Sequence, residues 1–116
     1  MKRRQKTEFG EFLVKEIKNA NMSQEEFYNA VGIKKPYFYD LLTASPPPVD
    51  LQNQMLSVLD AKTGTNVERR CTFYNLAAQG RGEIPADIVS MITDYPDNVE
   101  EIRKLLTQYL QSKNKE

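Results

Sequence analysis

The feature that most constrains this chain is a punctuated pair of short helical segments between Ser23 and Leu42. Ser23 can accept from the first turn of a helix, and Glu26 stands three residues later, the spacing of a capping box. The helix this predicts, Gln24 to about Val31, places Phe27, Ala30 and Val31 on its buried side. Gly32 follows, where a residue able to take a positive φ is needed to end the helix. Ile33 is then an apolar plug, and a further helix runs from about Lys35 to Thr43 with Phe38, Leu41 and Leu42 inward. Pro36 fits only in its first turn, where a missing N–H costs nothing. Two short helices joined by so tight a turn must pack at a steep angle.

The rest of the sequence keeps the helical period. Phe9, Phe12, Leu13, Ile17 and Ala20 recur at spacings of three and four, with Thr7 or Glu8 starting that segment. Ser45-Pro46-Pro47-Pro48 is a stiff connector. A fourth helix is expected from about Val49 to Leu59, with Leu51, Met55, Val58 and Leu59 inward, and 61–66 reads as a loop. Beyond it, Val67 to about Gln79 is helical, and Gly80-Arg81-Gly82 breaks that helix. Pro85 opens another, reaching about Tyr95, where Pro96 stops it. A last helix carries Ile102, Leu105, Leu106, Tyr109 and Leu110 on one stripe, followed by a polar, frayed end from Gln111. The expected fold class is therefore all-α, with residues 7–60 as one domain and 66–112 as a helical extension.

Composition excludes several function classes. No apolar run approaches the roughly 20 residues that cross a membrane. The basic start leads into a mixed helix rather than an apolar segment, so a secretory leader is not expected. With no histidine and one cysteine in 116 residues, a zinc site of the usual kind cannot be assembled, and the commonest general base is missing. An enzyme, a metal and a cofactor are therefore not expected. The single Cys71 reads as a small core residue in a reducing, cytoplasmic setting.

Net charge is zero, which argues against indiscriminate nucleic-acid binding, but the distribution is uneven. Lys2, Arg3, Arg4 and Lys6 crowd the start, while residues 83–101 carry Glu83, Asp87, Asp94, Asp97, Glu100 and Glu101 with no Lys or Arg. The arm is either a solvated tail or a source of phosphate contacts.

The cap, glycine and plug of Met22-Ser23-Gln24-Glu25-Glu26 and Val31-Gly32-Ile33, with Tyr37-Phe38 and Leu41 after them, resemble the lambda-repressor-like (Xre/Cro) family of helix-turn-helix regulators. The resemblance covers about residues 8–60 and implies a lambda-repressor-like bundle that reads double-stranded DNA. Carried over by position, Gln24 reaches a phosphate, while Lys34 and Lys35 meet base edges or backbone at the start of the recognition helix. Tyr39 offers its ring or hydroxyl, and Arg3 and Arg4 add backbone contacts. Pro36 stands where the family often has a small polar residue, and Asp40 puts a negative charge on the same helix. The resemblance further implies a homodimer on a near-palindromic site, the C-terminal stripe serving either as dimer surface or as monomer core. The alternative is a helical protein-interaction module, for example an antitoxin-like partner, that keeps the fold without reading DNA.

Overall fold

The computed structural model describes residues 4–114. Among these the chain is all-helical and without strands. Its elements are α1 (Glu8–Asn19), α2 (Gln24–Val31), α3 (Lys35–Thr43), α4 (Val49–Thr63), α5 (Val67–Arg81), α6 (Ala86–Thr93), a 3-10 turn (Pro96–Asn98) and α7 (Val99–Asn114). No helix among the described residues is long and apolar enough to cross a membrane. They fall into two units, one ending at Pro85 and one beginning at Ala86.

In the first unit, α1 is the central rod. Thr7 caps it, its hydroxyl accepting from Gly10 N–H at 3.0 Å. Phe9, Leu13, Ile17 and Ala20 are buried on one stripe, and Phe12 is half-buried at its edge. The stripe faces α3 on one side and α5 on the other. Against α5, Phe9 meets Phe73 edge-on with ring centroids 5.2 Å apart. Against α3 the approach is closer still. A Cβ on Gly10 would stand 2.0 Å from the Leu42 carbonyl oxygen, so only glycine admits this backbone contact. The same carbonyl accepts from Thr7 N–H at 2.9 Å and from the Thr7 hydroxyl at 3.2 Å, tying the start of α1 to the end of α3.

Several sequence expectations need correction. Helix α4 continues to Thr63, four residues past Leu59, because its carboxyl end is well served. Thr63 donates to Leu59 O at 2.9 Å, and the Arg69 guanidinium gathers Thr63 Oγ1, Gly64 O and Asp60 around it. Val58 is half-buried rather than inward. Helix α5 passes through Gly80 and stops at Gly82. Gly80, in the last turn of α5, lies where the helix presses on the proline connector; a Cβ on it would lie 2.6 Å from Pro46 Cγ. Pro46 and Pro47 are buried, and Arg81 donates to Pro46 O at 3.1 Å. Cys71 is exposed, not core; the buried residues of α5 are Arg69, Phe73, Tyr74, Ala77 and Ala78. In the second unit, α6 ends at Thr93, two residues before the expected limit. Helix α7 takes in Gln111 to Asn114, so the described part of the segment expected to fray is helical.

Candidate functional site

The α2–α3 pair is built from local signals. The Ser23 hydroxyl accepts from Glu26 N–H at 3.0 Å, and the Glu26 carboxylate accepts from Ser23 N–H at 2.9 Å, so the capping box is complete. These bonds hold the Glu26 carboxyl below the usual carboxylate range. At the other end Gly32 takes φ 93°, the left-handed region, and Ile33 N–H turns back to Tyr28 O at 3.0 Å. Ile33 is half-buried at the rim and does not fill the core as a plug. Ala30 is exposed, because the buried arc of α2 passes through Phe27 and Val31 with Tyr28 half-buried beside them.

Helix α3 is set against this frame by its aromatic ring. Phe38, only 2% exposed, packs on Phe27 at 6.1 Å and on Tyr28 at 5.4 Å between centroids. Leu41 and Leu42 complete its buried side. With about 100° between successive residues, the positions opposite that side are Pro36 and Asp40, with Lys35 and Tyr39 on one flank and Tyr37 on the other. The observed exposures agree. Lys34, Lys35, Pro36 and Asp40 are exposed, as are Tyr37 at 44% and Tyr39 at 38%. Tyr37 is thus a surface residue.

The predicted residues partly converge. An open groove between α2 and α3 has Gln24, Lys35 and Tyr39 in its lining, together with Glu25 and Tyr28. Tyr28 was not singled out from sequence; its position next to Phe27 gives no signal until α3 is seen to lie on its ring. Lys34 stands at the N-cap of α3, which has no side-chain cap, and Pro36 lies within the first turn. Arg3 lies outside the described residues. Arg4 is engaged with α3 itself. Its Nη2 donates to Asp40 Oδ1 at 2.6 Å, and its guanidinium lies over the Tyr39 ring at 4.9 Å from the centroid. The pairing raises the Arg4 pKa further above its already high value, through the hydrogen bond to Asp40 first.

The surface so formed is a short helix edge carrying two lysines, two tyrosines and one carboxylate that is already matched by an arginine. It can donate to phosphate or base acceptors from Lys34 and Lys35, and offer aromatic edges from Tyr37 and Tyr39. Nothing in it resembles a catalytic pair. Set against known proteins, the chain matches no protein-family model, no curated protein and no solved structure.

Proposed function

We propose that the chain is a sequence-specific DNA-binding transcriptional regulator of the lambda-repressor-like kind, meeting the major groove with α3 and acting as a homodimer. The observation that carries this reading is the mounting of α3. One side is locked by Phe38, Leu41 and Leu42, while Lys34, Lys35, Pro36, Tyr37, Tyr39 and Asp40 are all exposed. A helix about 10–12 Å across with its side chains suits a groove about 12 Å wide, and its nine residues give about 14 Å to lie in it. Lys34 and Lys35 sit at its positive end, where phosphates bind most readily. Asp40 works against phosphate, and the contact with Arg4 offsets that charge.

A second reading, in which this fold serves as a protein-interaction module of the antitoxin-like sort, draws on Asp40 at the outermost edge of α3 and on the zero net charge. Mobility shift against a pool of random duplexes separates the two. The regulator yields a salt-sensitive shift and enrichment of one sequence over successive rounds. Absence of any shift at low salt sinks it and leaves the interaction module.

A further inference from the structure

The side of α3 that faces away from the core is poor in hydrogen-bond donors. By helical spacing, Pro36, Asp40 and Thr43 lie opposite the buried Phe38, Leu41 and Leu42. Pro36 is exposed and has neither an N–H nor a polar side-chain atom. Asp40 is a carboxylate that only accepts, and its Oδ1 already receives Arg4 Nη2 at 2.6 Å. The Thr43 hydroxyl donates to Tyr39 O at 2.8 Å, so its proton is spent within the helix. On the flank, the Tyr39 ring carries the Arg4 guanidinium 4.9 Å from its centroid.

These placements restrict what the outward line can recognise. Guanine and adenine show the major groove acceptors at N7, and guanine and thymine show them at O6 and O4, all of which call for a donor. That work falls to Lys34 and Lys35 at the end of the helix. The thymine C5-methyl is the one methyl group the four bases display there, and it calls for an apolar surface instead. Pro36 supplies one in the first turn of α3, the part of such a helix that reaches base edges. Its ring is already fixed, so packing it on a base costs almost no side-chain entropy and a small contact is kept in full.

We propose that Pro36 is a specificity-determining residue of α3, selecting a thymine by packing its ring on the C5-methyl group. This rests on the reading of the chain as a DNA-binding regulator and names one base that the regulator selects.

The test uses the full chain and a duplex enriched from a random pool. Replacing each thymine in turn by deoxyuridine removes one methyl group and leaves every hydrogen-bonding group of the base in place. At the thymine beneath Pro36 the exchange should weaken binding about fourfold, the worth of one buried carbon. In Pro36→Asn the same exchange should make no difference, because a polar amide gains nothing from the methyl. Lys35→Ala should bind more weakly while keeping the thymine-to-uracil ratio of the wild type. Circular dichroism should stay helical in both variants, since both residues are exposed. A duplex bound tightly but indifferent to every uracil overturns this assignment and leaves the regulator standing. So does a uracil effect that Pro36→Asn retains at every thymine. A pool that yields no bound duplex removes the regulator and this assignment together.

Discussion

Arg4 and Asp40 lie 36 positions apart in the chain and are joined by a 2.6 Å hydrogen bond on the exposed side of α3. The partnership alters how both residues are understood. Arg4 had been expected to serve as an independent phosphate contact, but it is held against the helix that would enter the groove, with Tyr39 beneath its guanidinium. Asp40, the residue least suited to a polyanion, is the one it covers. Both side chains remain half-exposed, so water and salt compete with the pair.

Asp40→Asn is therefore expected to strengthen DNA binding. It removes a repelling charge and releases Arg4 for phosphate. The slope of log affinity against log salt should steepen by about one unit, as for one added phosphate contact. Fluorescence anisotropy across a salt series reads both. Weaker binding would identify Asp40 as an acceptor for a base instead.

Lys34→Ala with Lys35→Ala should weaken DNA binding and flatten the same slope by as much as about two units, with the thermal midpoint unchanged. The two lysines are exposed, and only the Lys34 backbone carbonyl, which alanine keeps, is hydrogen-bonded to α3, accepting from Phe38 N–H at 2.9 Å. Unaltered affinity in the double variant would remove the lysines from the interface.

Phe73→Ala should be among the most damaging substitutions in the first unit. The ring is fully buried and meets both Phe9 and Tyr74 edge-on. Loss of a buried phenylalanine costs about 3–5 kcal/mol. Denaturant unfolding should show a large fall in midpoint. A small one would mean that α5 contributes little to the core carrying α3.

Gly10→Ala drives a methyl group into the Leu42 carbonyl, where backbone rather than a flexible side chain must give way. Overpacking of this kind costs about 1–3 kcal/mol. Amide exchange should rise at Thr7, whose N–H depends on that carbonyl. An unchanged melting temperature would contradict the close approach of α1 and α3.

The capping box adds a pH dependence. Because the folded pKa of Glu26 lies below its ordinary value near 4.5, its contribution is whole above that value and is lost as pH falls through the lower folded one. The stability gap between the wild type and Glu26→Gln should therefore be widest near neutrality and narrow under acid. Parallel stability curves across that window would refute the role of the charge.

What could be read from the sequence follows the range of the forces involved. Thr7, Ser23 with Glu26, and Gly32 act within four residues, so the starts of α1 and α2 and the turn before α3 stand in the structure where their residues place them. The extent of α4 was not legible, since the Arg69 guanidinium that extends it arrives from the following helix. Nor was the exposure of Cys71, which depends on which side of α5 meets α1. In the candidate site, the outward position of Tyr39 followed from burying Phe38. The capture of Arg4 by Asp40 did not, because no local pattern links residues so distant.

The wedge of Pro46 against Gly80 bears on how this protein can be divided. At the short loop of 64–66 the chain looks separable, yet α5 beyond it braces the proline connector and covers Phe9 through Phe73. A cut there would take Phe73 away from Phe9 and leave aromatic surface of α1, the helix α3 packs on, facing water. A fragment that keeps α3 on the whole of its first unit therefore runs on to Pro85.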